Sequence, residues 1–220
     1  AVDSGATMVV TAGGAQTNHG RQTAGAAAKL GLKCAIVCID NYPGEISANI
    51  LLDRIMGADV ILQAPNGDPD QQEKVIKQVI EKYEAKGEKV YFIPVGGSND
   101  TGLLGYYECA CELDEQAKEA GIPEATVVSA VGSIGTYMGL FCGLKNEGSH
   151  LKLQGIAISD FGENKEKRLM EYFESSKAHY GFDFNAKPED FHIETGYVRG
   201  GCSPIGIKKR TATRLNRKKK

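Results

Sequence analysis

The sequence predicts an α/β protein made of two open parallel-sheet units with crossover helices. Three observations predict it. Short apolar or β-branched runs alternate with helical stretches along the chain, the order that parallel strands joined by crossover helices produce. Helical stretches stop at Gly31, Gly57, Gly87 and Gly121, the residue expected just past a helix end. Glycine, at 27 of 220 residues, is well above the usual share of about 7%, as many βα and αβ turns require.

The elements follow in order. Met8–Ala12 is a β-branched run that stops at the pair Gly13-Gly14, which predicts a strand. An Ala-rich helix is expected from about Arg21 to Leu30, closed by Gly31. Cys34–Ile39 is a continuous apolar strand, followed by a turn at Asn41-Tyr42-Pro43-Gly44. Ile46–Met56 is a helix, Asp59–Gln63 a strand, and Pro65–Pro69 a loop. Gln71–Lys86 is a charged amphipathic helix. Val90–Val95 is a strand that runs into Gly96-Gly97-Ser98, and Gly105–Ala120 a helix stopped by Gly121-Ile122-Pro123. Thr126–Val131, Leu153–Ser159 and Phe191–Val198 are further strands, with helices at Gly135–Lys145 and about Asn164–Tyr180. A division near Gly97–Leu103 gives a smaller unit over residues 1–100 and part of a larger one over 101–206.

Composition narrows the class. Hydrophobic residues make up 41% and charged residues 25%, ordinary for a globular protein. No apolar run approaches the roughly 18–20 residues that span a bilayer, and no signal-peptide pattern opens the sequence, which predicts a cytoplasmic protein. The six cysteines follow no zinc spacing and are expected as buried, reduced thiols. The net charge of -2 hides an asymmetry. Eight Lys and Arg residues fall within 208–220 with no acid among them, leaving 18 basic against 28 acidic residues elsewhere. Such a tail can attract nucleic acid nonspecifically. It carries no aromatic residue to stack on bases, so residues 207–220 are expected as a solvated, disordered end and nucleic acid is not expected as a partner.

The chemistry is concentrated in two places. Gln16-Thr17-Asn18-His19 sets an amide, a hydroxyl, an amide and an imidazole at a strand-to-helix junction. The unpaired N–H groups and partial positive charge of a helix start suit an anion there. The plainer alternative is that Thr17 or Asn18 caps the helix. Gly132-Ser133-Ile134-Gly135-Thr136 joins the next unit's first strand to a helix. Its glycines allow a close backbone approach and its hydroxyls add donors, as in a phosphate loop. Here too the alternative is a turn capped by Ser133. His150, His179 and His192 have no convergent partners in sequence and are read as structural or surface residues.

Four blocks, in order, carry a resemblance. Gly13-Gly14-Ala15-Gln16-Thr17-Asn18-His19-Gly20-Arg21-Gln22 is the first. Pro94-Val95-Gly96-Gly97-Ser98-Asn99 with Leu104-Gly105-Tyr106 is the second. Val127–Thr136 is the third and Glu194-Thr195-Gly196-Tyr197-Val198 the fourth. Together they resemble the D-cysteine desulfhydrase and 1-aminocyclopropane-1-carboxylate deaminase family over about residues 1–200. These are fold-type II pyridoxal-phosphate enzymes, similar to the tryptophan synthase β subunit. The resemblance implies a cofactor, pyridoxal 5'-phosphate, and a small amino-acid substrate, with elimination from D-cysteine to pyruvate, sulfide and ammonia. It implies a homodimer in the full-length family. Gly132, Ser133, Ile134, Gly135 and Thr136 would meet the phosphate, and Asn18 the phenolic oxygen of the cofactor ring. Thr17, Asn18, His19 and Gly97 would meet the substrate. His19 stands where desulfhydrase-like members have His and deaminase-like members Gln.

This sequence also departs from the pattern. Val131 and Ile134 stand where the family has small residues, and a β-branched side chain at Ile134 is expected to obstruct a left-handed turn. Cys202 stands where a ring-contacting Tyr is expected, and the pattern then gives way to the basic tail. The family's Schiff-base lysine lies in a Gly-Asn-Lys-like motif ahead of the Gly-Gly block, and this sequence has no such motif. Lys29 and Lys33 belong to the flanking helix and strand and are poor substitutes. The expectation is a chain truncated at both ends and without covalent cofactor chemistry of its own. The alternatives are a 1-aminocyclopropane-1-carboxylate deaminase-like chain or a noncatalytic fragment. Mixed with pyridoxal phosphate and desalted, the chain should keep no absorbance band from a covalently held cofactor. A stoichiometric band that maps, after borohydride reduction, to one lysine would contradict this.

Overall fold

The computed structural model describes residues 1–40, 45–62, 69–158 and 164–195 of the chain. The expected turn at 41–44, most of the 65–69 loop, the ends of two expected strands at Gln63 and Ser159, Gly196–Val198, Cys202 and the basic tail lie outside the described residues. The chain divides into two compact units, Ala1–Gly97 and the part beginning at Ser98.

The first unit is a four-stranded parallel sheet in the order β3-β2-β1-β4. Its strands are β1 (Met8–Gly13), β2 (Lys33–Cys38), β3 (Asp59–Ile61) and β4 (Val90–Ile93). Its helices are α1 (Asn18–Leu30), α2 (Ala48–Ile55) and α3 (Pro69–Glu84). Alternate residues of the central strands serve opposite faces. Met8, Val10, Ala12, Ala35 and Val37 pack with Val79 and Tyr83 of α3. Val9, Cys34 and Ile36 pack with Ala24 and Ala27 of α1. Burial on both faces is why β1 and β2 read as unbroken apolar runs rather than as alternating ones. After β4, Pro94 ends the strand two residues short of the sequence expectation. A short 3-10 turn over Val95–Gly97 follows, with φ of 71° at Gly96 and 61° at Gly97. Those left-handed values need glycine.

The second unit holds a three-stranded parallel sheet in the order β5-β6-β7. The strands are β5 (Thr126–Val131), β6 (Lys152–Ala157) and β7 (Ile193–Glu194), and the helices are α4 (Asp100–Glu119), α5 (Gly135–Asn146) and α6 (Lys165–Tyr180). Its core gathers Val131, Ile134, Tyr137, Met138, Phe141, Leu169, Phe173 and Phe191. Phe141 and Phe191 lie 4.8 Å apart at their centroids and tilted, an attractive aromatic arrangement. Among the described strands β5 is an edge, where Val128 is 64% exposed.

Three helices start earlier than the sequence suggested, α3 by two residues at Pro69. α1 begins at Asn18 rather than Arg21, because Thr17 caps it. α4 begins at Asp100 rather than Gly105, because the Asn99 Oδ1 accepts the Gly102 N–H at 2.8 Å. The cysteines need one correction. Cys34, Cys38 and Cys142 are buried, but Cys109 and Cys111 on α4 are only partly so. Burial pushes the Cys34 and Cys142 thiols up to about 12 and Cys38 to about 11, so all three are protonated at neutral pH.

The closest packing in the second unit is α4 against α5, along Gly135, Gly139 and Gly143. A Cβ at Gly139 would lie 2.6 Å from Tyr106 Cβ and 2.7 Å from the Leu103 carbonyl oxygen. One at Gly143 would lie 2.6 Å from Ala110 Cβ and 2.7 Å from the Tyr107 carbonyl oxygen. Gly143→Ala should therefore destabilise the protein by about 1–3 kcal/mol through overpacking, although Ala is the better helix former by roughly 1 kcal/mol. Gly105→Ala, whose Cβ meets nothing within 4 Å, should instead stabilise slightly. Urea midpoints for the two variants check this, and an unchanged or raised midpoint for Gly143→Ala counts against the close packing.

Candidate functional site

The first group of candidate residues lies in the first unit, where β1 turns into α1. Thr17 N–H donates to the Gly14 carbonyl at 2.9 Å, and Ala15 N–H donates to Asp40 Oδ1 at 2.7 Å. These bonds tie the glycine turn to the end of β2. The Thr17 side chain fills the space left by two glycines. A Cβ at Gly13 would meet it at 3.0 Å and one at Gly20 at 2.5 Å. Its Oγ1 accepts the Gly20 N–H at 3.4 Å, a long cap that leaves the hydroxyl proton for a second partner.

Asn18 and His19 are therefore first-turn helical residues, not loop residues. Asn49 at the start of α2 fixes the Asn18 amide. Its Nδ2 donates to Asn18 Oδ1 at 3.0 Å and to the Gln16 carbonyl at 2.9 Å, while its backbone N–H donates to Gln16 Oε1 at 2.9 Å. With Oδ1 engaged, Asn18 presents its Nδ2 as a donor. That suits an acceptor such as a phenolate oxygen. His19 is half-buried, and burial holds its imidazole below the ordinary range, so it is neutral at pH 7. Its Nε2 lies 2.7 Å from Thr11 Oγ1. Its Nδ1 edge faces Gly97, where a Cβ would come within 3.8 Å of Cε1. His19 and Gly97 are thus neighbours in the first unit.

The second group is Gly132–Thr136, between β5 and α5 in the second unit. One alternative and one expectation fail here. Ser133 does not cap α5, whose N-cap is Ile134; the Ser133 Oγ instead accepts the Ser98 hydroxyl at 2.7 Å. Ile134 does not prevent a left-handed turn. It adopts one, with φ 74° and ψ −32° at the N-cap position. The side chain is only 4% exposed and belongs to the aromatic core, which holds the backbone where a β-branched residue rarely goes. No side chain caps α5, so its first-turn N–H groups keep the donor capacity of an open helix start. Gly135 is required by the approach of Ser98, whose Oγ would lie 2.7 Å from a Cβ there. A cavity of about 430 Å3 adjoins the turn, lined by Ser98, Ser133, Ile134, Arg168, Glu171 and Tyr172 among others.

Ser98 was grouped by sequence with the Gly96-Gly97 turn, yet its side chain belongs to the Ser133 turn. Tyr107 is a packing residue, stacked on Phe182 at 5.8 Å. His179 contacts the Tyr180 ring at 4.6 Å. Among the described residues, no three His, Cys, Asp or Glu side chains could hold a metal ion, and no helix is long and apolar enough to cross a membrane. Sequence reasoning missed Thr11 and Asn49. Neither carries a motif signal, since a Thr within a buried strand and an Asn in a helix's first turn are both commonplace.

Comparison with known proteins gives this geometry a context. Residues 1–193 match the model of a family described as pyridoxal-phosphate dependent enzyme. D-cysteine desulfhydrase of Serratia proteamaculans (strain 568) is 40% identical over 164 residues, covering 72% of this chain and 49% of that protein. D-cysteine desulfhydrase of Yersinia pestis (strain Pestoides F) is 37% identical over 176 residues, covering 77% and 52%. A crystal structure of an ACC deaminase homologue superposes with a TM-score of 0.75 at 31% identity, covering 87% of this chain and 56% of that one. The chain spans about half the length of the curated relatives it matches.

Ile134 gives a test that needs no ligand. Ile134→Ala removes buried side-chain volume, which costs about 2–5 kcal/mol, and keeps the unfavourable φ. Ile134→Gly removes one carbon more but relieves a backbone strain of roughly 1–3 kcal/mol. The glycine variant should therefore be the more stable of the two in urea unfolding, contrary to the usual order. A glycine variant less stable than the alanine one would mean that the turn is not strained.

Proposed function

We propose, from the premise that the chain belongs to the pyridoxal-phosphate dependent enzyme family, that it is part of a D-cysteine desulfhydrase-like lyase. The observation that carries this is the uncapped start of α5, with its turn held open at Ile134. α1 and α4 are closed by side chains, Thr17 and Asn99; α2 and α6 also lack a side-chain cap, and α5 is set apart from them by the left-handed Ile134 at its N-cap. An anion such as a phosphate ester would complete the α5 turn through backbone donors and the Thr136 hydroxyl. The chain's donor set thus fits the cofactor.

Bound pyridoxal phosphate supplies an electron sink for the α-carbon of an amino acid. The chain's own residues would bind and orient. Gly132, Ser133, Ile134, Gly135 and Thr136 would hold the phosphate. Asn18 would donate from Nδ2 to the phenolic oxygen, with Asn49 keeping its amide the right way round. Thr17 would donate its hydroxyl proton to a substrate carboxylate, and His19 beside Gly97 would face the substrate side chain. From D-cysteine, loss of the β-thiol and hydrolysis give sulfide, pyruvate and ammonia. The D-cysteine desulfhydrases related at 37% and 40% identity support that substrate. The likeness to an ACC deaminase homologue supports ring opening of 1-aminocyclopropane-1-carboxylate as the second reading. A homodimer and a cytoplasmic location belong to the same proposal.

The phosphate step is tested on the chain itself by calorimetric titration with inorganic phosphate and with pyridoxal phosphate. Thr136→Val should weaken both by about 10-fold or more, since a hydrogen bond to a charged group is worth roughly 1.5–3 kcal/mol. Equal affinity in the variant removes Gly132–Thr136 as the site. The substrate is tested in a longer chain that supplies a cofactor-linking lysine. Sulfide release from D-cysteine supports the desulfhydrase, and turnover of the cyclopropane substrate alone supports the deaminase.

A further inference from the structure

His19 sits in a short relay whose proton positions can be worked out. Thr11 lies in the middle of β1, fully buried at 0% exposure. Its Oγ1 is 2.8 Å from the Ile93 carbonyl oxygen on β4 and 2.7 Å from His19 Nε2. A carbonyl oxygen has no proton to give, and a hydroxyl has one. Two oxygens at 2.8 Å without a proton between them would repel, so Thr11 donates to Ile93. Its lone pair then faces His19 Nε2, which must itself carry a proton. The neutral imidazole holds one ring proton. Nδ1 is left as an acceptor, on the edge that faces Gly97.

We propose that Thr11 is a positioning residue that commits His19 to the Nε2–H tautomer and so makes its Nδ1 a hydrogen-bond acceptor. The ring has little freedom to choose otherwise. The register that pairs Thr11 with Ile93 in the β1–β4 ladder fixes the distance between hydroxyl and carbonyl. The His19 carbonyl is engaged as well, accepting the Thr23 hydroxyl at 2.9 Å one turn along α1, so the helix start that carries the ring is itself held. If the loop is substrate-facing, which rests on the function proposed above, the group opposite Nδ1 has to be a donor, such as a thiol or an ammonium. A bare carboxylate would meet a lone pair there and be disfavoured.

The test is nitrogen-15 NMR of the His19 ring in the 220-residue chain without cofactor, at a pH above its titration. The wild-type chain should show Nδ1 unprotonated and Nε2 bearing a slowly exchanging proton. Thr11→Val, which keeps the shape and removes the hydroxyl, should lose the slow exchange and shift the ring toward a mixture of tautomers. Thr11→Ser should restore the wild-type spectrum. A protonated Nδ1 in the wild-type chain overturns the proposal even if Thr11→Val fails to fold, and a wild-type ring spectrum in a folded Thr11→Val overturns it too. Because no cofactor is present, failure here leaves the phosphate titration standing, and failure there leaves the tautomer assignment intact.

Discussion

The second unit depends on how closely α4 can approach α5. Glycines at 135, 139 and 143 lie four residues apart, so they share one helix face. At 139 and 143 a backbone carbonyl of α4 lies 2.7 Å from where a Cβ would sit, and at 135 the Ser98 Oγ does. One feature of the β5–α5 turn follows from this contact. It brings the Ser98–Asn99 segment, which leads into α4, against Gly135, and so places Ser98 Oγ on Ser133 Oγ. The N-cap position falls on Ile134, whose side chain has no polar atom to close α5. The helix start is thus packed against Ser98 on one side and left without a side-chain cap.

The first unit applies the same economy of small residues with the opposite result. Thr17 occupies the volume that Gly13 and Gly20 leave vacant and bonds back to the helix. The cap is long, so the helix start is closed but weakly. Asn49 and Asp40, from the segments after β2, then hold the turn and the Asn18 amide in place. Rigid support from neighbouring elements is what lets a polar turn keep a defined donor direction. A turn held only by its own residues would sample several.

Much of this was legible in the sequence, for reasons specific to particular residues. β5 was read to the residue because turn signals bound it on both sides, Pro123 before it and Gly132 after it. The helix stops at Gly31, Gly57, Gly87 and Gly121 were read because a left-handed φ after a helix selects glycine, and all four have φ between 69° and 86°. Helix starts were misplaced, since a cap is a local contest between side chain and backbone that spacing does not settle. Thr17 and Asn99 won that contest and Ser133 did not, the N-cap falling on Ile134. The glycine face of α5 was visible as Gly-xxx-Gly-xxx-Gly, but its meaning required knowing that α4 packs there. Thr11 and Asn49 were invisible, because their partners at Ile93 and Gln16 are 82 and 33 residues away in sequence.

Ile134 shows why the misread turn is still open. A glycine would take φ 74° freely but leave a hole among Tyr137, Phe141 and Phe191. The isoleucine costs roughly 1–3 kcal/mol in backbone strain, while burying a side chain of its size contributes about the same or more, roughly 1.5–3 kcal/mol. One residue therefore serves two masters, its side chain bound to the core and its backbone bent into the turn. The core's grip substitutes for the conformational freedom of glycine. It also makes the turn stiffer than a glycine-rich one, because the dihedral cannot relax without withdrawing the side chain from the core. An anion that binds there meets donors already in position, and the ordering it would otherwise impose has been met during folding.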